Sequence, residues 1–526
     1  MSVPGSAGRE AKVASVWAYS SQTRDIVALY MSDNDPILLA IDQGTSSSRS
    51  IAFSARGAIV AIDQHPFEQI YPASGWVEHD PEVIWATTIS TAREVLKQLR
   101  AQQRHVAAIG ITNQRETTLL WDRRTGIPVY NAIVWQDRRT ADECRTLQEA
   151  GREDEVIEKT GLRLDPYFSA TKLTWIFDHV PGTREAAEAG HLAFGTVDSF
   201  LIWRLTGGRV HATDVSNASR TALFDIRTCC WDEALCELFR VPLKCLPEVR
   251  DSAGDFGVTD AVVLGEAMPI CGVAGDQQAA LIGQACFAAG DVKSTYGTGA
   301  FLVLNTGPQL LRSRNRLLST IAYRLKGATT YALEGSILSA GSTVQWLRDG
   351  LGIISRAPEI ELLAQSVADT GGVYLLPAFT GLGAPYWDPD ARGAIVGLTR
   401  ASSRGEIARA GLDSVVYQTR DLLDAMAADG IGPAQLKVDG GMAQNGFFLQ
   451  RLADVLGVPI LRPKMAESTA FGAACLAGLG HGIYGSLQDI ARLWRGDVRC
   501  EPKLDPVARE REMAGWRDAL RRVRSR

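Results

Sequence analysis

Five short segments of this chain combine residue types that handle oxyanions and hydroxyl groups. The first is Asp42-Gln43-Gly44-Thr45-Ser46-Ser47-Ser48-Arg49, set between two apolar runs. Glycine lets the backbone turn closely around an oxyanion, and exposed N–H groups with hydroxyls donate to phosphate. Arg49 adds a cation, and Asp42 offers the kind of carboxylate that Mg2+ takes alongside waters and phosphate oxygens. A polar hairpin whose Asp accepts turn hydrogen bonds would account for the same residues. The second segment is Tyr296-Gly297-Thr298-Gly299-Ala300-Phe301, with two glycines around a hydroxyl. Gly-x-Gly alone is weak evidence. Two such turns at corresponding places in two halves of a chain suggest loops gripping one polyphosphate from opposite sides.

The third segment, Gly275-Asp276-Gln277-Gln278, follows the apolar PICGVA and precedes a helical pattern, QAALIGQACF. An acid there can cap the helix, or it can orient an attacking hydroxyl. A free Asp, with a pKa of ~3.9, cannot ionise an alcohol in advance. Phosphoryl transfer does not demand that, because its loose transition state releases the hydroxyl proton late. The fourth, Asn113-Gln114-Arg115-Glu116-Thr117, follows the strand-like VAAIGIT. In a regular strand Arg115 and Glu116 would face opposite ways, whereas a loop could bring both to one ligand. A small polyol needs that mixture, since each hydroxyl taken from water must regain donors and acceptors. A surface ion pair is the alternative. The fifth, Asp439-Gly440-Gly441-Met442-Ala443-Gln444-Asn445, opens a helical run, GFFLQRLADVL. Its glycines allow a phosphate or flat ligand close to the backbone, and a plain capped turn fits as well.

The elements that must position these residues alternate between strand and helix periods. ILLAID, SRSIAFSA and AIVAIDQH read as strands, PEVIWATTISTAREVLKQLR as a helix and VAAIGIT as another strand. DVKSTYGTGAFLVLNT and YRLKGATTYALEGS repeat the strand order in the second half, followed by the helical SAGSTVQWLRDGLG. Two similar layered α/β domains facing a cleft are therefore expected, with AGDQQAALIGQACFAAGD near the hinge. The expected divisions are an N-terminal extension over 1–35, domains over 36–288 and 289–490, and a C-terminal helical tail over 491–526. Residues 1–35 mix Gly, Ser, Ala and charges without a period, and Met31 is the expected native start. AKVASVWAYS is too weakly apolar for a good signal sequence.

At 526 residues the chain exceeds what one core can organise, in keeping with two domains. A net charge of −5 gives no reason to expect nucleic acid or an anionic membrane surface as partner. No apolar run reaches the roughly 20 residues that span a bilayer. Nine scattered cysteines with no C-x-x-C pair fit a reduced, cytoplasmic compartment. Seven dispersed histidines make a His-rich metal site or a Ser-His-Asp hydrolase a poor fit.

Taken together the segments resemble the FGGY carbohydrate kinases. AIDQGTSSSRS, GITNQRETTLLWD, NAIVWQDRRT, LDPYFSATKLTW, FGTVDSFLIWRLTGGRVHATDVSNASRTALFD, AGDQQAALIGQ, STYGTGAFLVLNTG, PAFTGLGAPYWDPDARGAIVGLTR and VDGGMAQNGF occur in family order between about residues 37 and 485. The resemblance implies an actin-like ATPase (ribonuclease H-like) fold, with two α/β domains flanking a nucleotide cleft. It also implies transfer of the γ-phosphoryl of Mg-ATP to a sugar or polyol hydroxyl. NQRET and DPYFSA are similar to the pockets of members that act on glycerol, giving sn-glycerol 3-phosphate for glycerol catabolism and glycerolipid supply.

By that resemblance Arg115, Glu116, Tyr167, Asp276 and Gln277 hold the polyol hydroxyls, with Asp276 also the catalytic base, while Trp135 and Phe301 wall the carbon chain. Thr45, Ser46, Ser47 and Arg49 meet the phosphates, Thr298, Gly341, Gln345, Gly441 and Asn445 contact the nucleotide, and Asp42 acts through magnesium. A homo-oligomer, dimer or tetramer, is the implied state. Ser46 stands where a second threonine is common, and DAVVLGEAMP lacks the glycine-rich loop that binds fructose 1,6-bisphosphate in some bacterial relatives. Two rivals stay open: a relative acting on a pentulose or tetritol, and a nucleotide-binding module without turnover.

Overall fold

A computed structural model describes residues 35–525, so the expectations placed on residues 1–34, the start at Met31 among them, lie outside the described residues. Strand β1 (Ile37–Gln43) is buried along its whole length, as a continuous apolar run flanked on both sides requires. It pairs antiparallel with β2 (Ser47–Ser54), which pairs with β3 (Ile59–Pro66) at the sheet edge. Helix α1 (Pro81–Ala101) then crosses the sheet. Asp80 caps it by accepting the Glu82 N–H, and proline occupies its first turn. Strand β4 (Val106–Asn113) returns parallel to β1, and β5 (Ile270–Gly275) completes the sheet in the order β5-β4-β1-β2-β3.

Helix α2 (Asp276–Gly283) leaves β5 directly. Its N-cap is Gly275, so Asp276 is the first helical residue and not the cap; its carboxylate nonetheless accepts the Gln277 N–H at 2.7 Å. The second sheet begins with β6 (Val292–Tyr296) and β7 (Ala300–Gly307), an antiparallel pair around Gly297–Gly299. Strands β8 (Leu318–Leu325) and β9 (Ala328–Ile337) form the expected hairpin, but it is β9 that pairs with β7, leaving β8 at the edge. The repeat of the first half is therefore in the pairing of first, second and fourth strands, not in strict succession. Helices α3 (Gly341–Asp349) and α4 (Arg404–Ala428) follow, then β10 (Leu436–Asp439), α5 (Gly446–Leu456) and β11 (Ile460–Pro463).

Helix α6 (Ser468–His481), late in the chain, packs on α2 and on β1, β4 and β5 of the first sheet. The α2–α6 crossing is close enough that a Cβ on Gly472 would lie 1.8 Å from the Ala279 carbonyl oxygen, and one on Gly283 2.0 Å from that of Ser468. The segment expected near the hinge is thus a helix locked onto α6 by glycine contacts and touching strands of both sheets. Residues 491–526 hold more than a helix: β12 (Gly496–Cys500) pairs with β11, and α7 (Pro506–Arg521) buries Met513 and Trp516 in the core of the second half. No helix among the described residues is long and apolar enough to cross a membrane.

Candidate active site

The loop after β4 keeps its start in register, since the Gln114 N–H donates to the Gln43 carbonyl at 2.8 Å. Glu116 then takes a left-handed conformation, φ 60°, and this breaks the alternation of a strand. Arg115 and Glu116 both turn inward and are almost wholly buried. A surface ion pair is excluded. Arg115 donates both ends of its guanidinium to Glu334, at 2.5 and 3.0 Å, and donates to the Tyr167 hydroxyl at 3.2 Å and to Gln278 Oε1 at 3.2 Å. Its Nε stands 3.4 Å from the Asp276 carboxylate. Glu116 accepts from Arg220 Nε at 2.7 Å, and Arg220 also donates to Glu334 at 2.8 Å.

Burial alone would raise the pKa of Glu334, but Arg115 and Arg220 outweigh it and hold the group at about 2. Glu116 goes the other way, its carboxyl pushed up by burial against the same two arginines. Tyr167 is raised by burial and by the Glu116 charge. Lys172 fixes the Tyr167 loop by donating to the backbone carbonyls of Pro166, of Tyr167 at 2.7 Å and of Phe168 at 3.0 Å.

Asp276 keeps 33% of its side chain exposed. The protein around it raises its pKa by desolvation, with Arg115 and Lys293 opposing. Gln277 donates its amide to Asp276 Oδ2 at 3.1 Å. Trp135 meets Tyr167 and Phe301 edge-on, ring centroids 5.8 and 5.9 Å apart, and the Arg115 guanidinium lies 6.0 Å from the Phe301 ring. The residues expected to hold a polyol therefore form one connected cluster drawn from both halves. Trp135 ties that cluster to the glycine turn after β1, because its indole N–H donates to the Thr45 hydroxyl at 3.0 Å.

Beside this lies a cavity of about 350 Å³ lined by Arg49, Thr295, Asp439, Gly441, Arg462 and Glu467, among others. Arg49 donates to Asp42 at 2.7 Å and to Glu467 at 2.5 Å. Asp439 accepts from Gln284 on one oxygen at 2.9 Å, and its other oxygen is buried without a partner among the described residues. Of the residues expected at phosphate or nucleotide, Arg49 and Gly441 line the cavity, and the rest stand outside its lining. Ser46 is exposed in the turn, and Ser47 accepts from Gln64 on β3 at 2.8 Å. Thr298 and Gly341 belong to one unit, in which Gly341 donates to the Gly297 carbonyl at 2.9 Å and Ala340 to that of Thr298 at 2.9 Å. Asn445 caps α5 by accepting the Phe448 N–H at 2.8 Å, and Gln345 is exposed on α3.

Comparison with known proteins turns this geometry into a lineage. The family model described as the N-terminal domain of the FGGY family of carbohydrate kinases matches residues 37–283, and the C-terminal domain model matches residues 292–481. The chain belongs to the FGGY family of carbohydrate kinases. As a member of that family it is 59% identical over 490 residues to a glycerol kinase of Rhodospirillum centenum, covering 93% of this chain and 98% of the relative. Its structure superposes on that of Plasmodium falciparum glycerol kinase with ADP at a TM-score of 0.88 and 37% identity, covering 93% of this chain and 98% of the other. A ligand-bound xylulose kinase from Lactobacillus acidophilus matches at a TM-score of 0.82 and 21% identity, covering 93% and 98% of the two chains, a likeness of fold. The fold is the α/β, two-domain fold of the FGGY kinases, the actin-like ATPase fold, as expected.

Charged side chains at this site that were not among the expected residues include Arg220, Lys293, Glu334 and Glu467. Lys293 and Glu334 lie in strands that already carry polar residues, VKSTY and ATTYALEGSI, so their charge is no local sign of a buried partner. Arg220 stands in SNASRTALFD, one of the segments that read as family-like.

Proposed function

We propose that this chain is a glycerol kinase, transferring the γ-phosphoryl of ATP to a terminal hydroxyl of glycerol to give sn-glycerol 3-phosphate and ADP. The observation that carries the reading is the connected cluster of Arg115, Glu116, Tyr167, Trp135 and Phe301 around Asp276, joined through Trp135 to the Thr45 turn. Charged and hydroxyl groups beside two aromatic faces suit a three-carbon polyol, and the strong similarity to relatives named glycerol kinase supports the same substrate.

In the proposed reaction Asp276 accepts a hydrogen bond from the attacking hydroxyl, and Arg115, Glu116 and Tyr167 hold the remaining hydroxyls. The hydroxyl oxygen forms a bond to the γ-phosphorus as the bond to the β,γ-bridging oxygen breaks; ADP leaves and the hydroxyl proton passes late to Asp276. Closing the cleft excludes water, which would otherwise accept the phosphoryl group. Thr45, Ser46, Ser47 and Arg49 are assigned to the phosphates, and Thr298, Gly341, Gln345, Gly441 and Asn445 to the nucleotide.

Mg2+ takes one or two carboxylates and fills its other positions with phosphate oxygens and waters. A single carboxylate such as Asp42, with one oxygen on Arg49 and the other left for the ion, is therefore a sufficient protein donor. Asp42 would hold it, adjoining the cavity through its bond to Arg49. Held there, the ion would supply positive charge to offset that on the phosphate oxygens. Asp42 itself orients Arg49, which in turn faces the phosphate site.

The deciding experiment is ADP release from Mg-ATP with and without millimolar glycerol, magnesium omitted as control. A glycerol- and magnesium-dependent rise with glycerol 3-phosphate formed is expected. ATP binding without that rise would move the reading to a pentulose or tetritol kinase, or to a binding module, and a panel of sugars separates these. A homodimer or homotetramer and a cytoplasmic location belong to the same reading, to be checked by light scattering and cell fractionation. The nine free thiols accord with a reducing compartment.

A further inference from the structure

Lys293 lies on β6 with its side chain fully buried, between the polyol cluster and the nucleotide cavity. Its ammonium donates to Gln277 Oε1, to Thr295 Oγ1 at 3.1 Å and, at 3.5 Å, to the Phe301 carbonyl. Thr295 lines the cavity, while Gln277 and Phe301 belong to the polyol cluster. A carboxamide has two ends of nearly equal shape, so an ammonium on Oε1 decides its orientation. With Oε1 held by Lys293, the Gln277 NH2 must face Asp276 Oδ2, where it donates at 3.1 Å.

We propose that Lys293 is a positioning residue for phosphoryl transfer, locking the Gln277 carboxamide toward Asp276 and placing a positive charge behind that carboxylate. The inference rests on the reading of Asp276 as the base. An aspartate that is to take a hydroxyl proton must begin ionised, yet desolvation at the cleft floor favours its neutral form. The groups that oppose this are Arg115, at 3.4 Å, and Lys293, together with the Gln277 amide and backbone N–H. Lys293 in turn faces Asp276, Asp439, Glu334 and the like charge of Arg115. Burial lowers its pKa to about 8 against the pull of Asp439 and Asp276, so it is charged at neutral pH. Arg115 is committed on both guanidinium ends to Glu334, which leaves Lys293 as the cation whose alignment with Asp276 runs through a substrate-binding amide.

The test compares Lys293→Met, Lys293→Gln and Lys293→Arg with Asp276→Asn in the full-length protein, using glycerol and Mg-ATP. The readouts are kcat as a function of pH, KM for ATP and the melting temperature. Lys293→Met and Lys293→Gln are expected to lower kcat roughly 10-fold or more, with KM for ATP within about two-fold. They should also move the acid limb of the kcat profile up by about one pH unit. Lys293→Arg keeps the charge and should keep the limb near its original position. An acid limb unmoved in every soluble variant overturns the inference, reducing Lys293 to packing. If the Met variant does not fold, the Gln and Arg variants decide by the same criterion. Near-normal turnover in Asp276→Asn would overturn the base reading instead; an inactive Asp276→Asn with an unmoved limb in Lys293→Gln overturns only the role of Lys293.

Discussion

Arg115, on the loop after β4, and Glu334, on β9 of the second sheet, form a two-pronged buried ion pair at 2.5 and 3.0 Å. The pair joins one half of the chain to the other, and the same Arg115 reaches Tyr167 and Asp276. Planar guanidinium matched to carboxylate fixes direction as well as distance, so Glu334 sets where Arg115 can present its Nε to Asp276. The second cation on Glu334, Arg220, links the same carboxylate to Glu116. Four charges are thereby arranged by one acidic side chain.

Glu334→Gln removes the anion and leaves Arg115 and Arg220 buried around a neutral amide. Breaking such a pair from one side costs about 3–5 kcal/mol. Glycerol turnover should fall roughly 10-fold or more through the displaced Arg115, while KM for ATP changes little. Denaturant unfolding and steady-state kinetics check the two parts. A stable variant with unchanged glycerol kinetics would show that the pair neither supports the fold nor aims Arg115.

Acid should act through the same carboxylate. Glu334 titrates at about 2 in the folded chain against an ordinary 4.5, so its contribution is complete above pH 4.5 and is lost as pH falls toward 2. The difference corresponds to roughly 3 kcal/mol. The stability gap between wild type and Glu334→Gln should therefore narrow as pH falls through that window, because the protonated wild type comes to resemble the variant. A gap of constant size from pH 6 to pH 3 would contradict this.

Much of this arrangement was legible from sequence because its turns follow strands with strong apolar runs. The Asp42 turn, the Thr298 turn and the Asp276 junction stand where β1, β6 and β5 end, and the glycines and hydroxyls there have few structural uses in common. Arg115 and Glu116 were legible as types but not as neighbours on one side, since that depends on the left-handed backbone at Glu116. Glu334 was not legible, because its partner stands 219 positions earlier and nothing local marks the pairing. The exchange of β8 and β9 in the sheet was hidden for a related reason: a hairpin reads the same whichever strand meets the neighbour. The close glycine packing of α2 on α6 was likewise invisible, as each helix looks complete alone.

Asp276→Asn should lower glycerol turnover by roughly 10²-fold or more while nucleotide affinity stays nearly intact. The wild-type acid limb of kcat should fall above the usual aspartate range, since burial raises the folded pKa of Asp276 and protonation removes the acceptor. Nucleotide titration by calorimetry and a pH–rate profile measure both. A limb at or below pH 3.8 would mean that another group governs the acid loss.

The Trp135–Thr45 hydrogen bond predicts communication between the polyol wall and the phosphate turn assigned in the proposed function. Trp135→Phe keeps an apolar face but loses the donor, and Thr45→Val loses the acceptor. Each should lower kcat/KM, and the double variant should lose less than the sum, with a coupling of about 1 kcal/mol. Additive losses would show that the two subsites act independently.

Arg49 is held between Asp42 and Glu467, so a nucleotide phosphate bound in the cavity as proposed would share it or displace Glu467. Glu467 lies largely buried, its pKa raised by desolvation although Arg49 opposes. Its charge adds repulsion toward phosphate in the lining of the same cavity. Glu467→Gln removes that repulsion and loosens Arg49 from one side, so ATP should bind roughly 2–10-fold more tightly. Arg49→Met should weaken ATP by about 10-fold or more, because it removes the cation and leaves Asp42 unpaired. Calorimetry with ATP and ADP at two salt concentrations checks both, the Glu467→Gln gain shrinking as salt screens the charge. Weaker binding in Glu467→Gln would reverse the assignment, making Glu467 the clamp that holds Arg49 in place for phosphate.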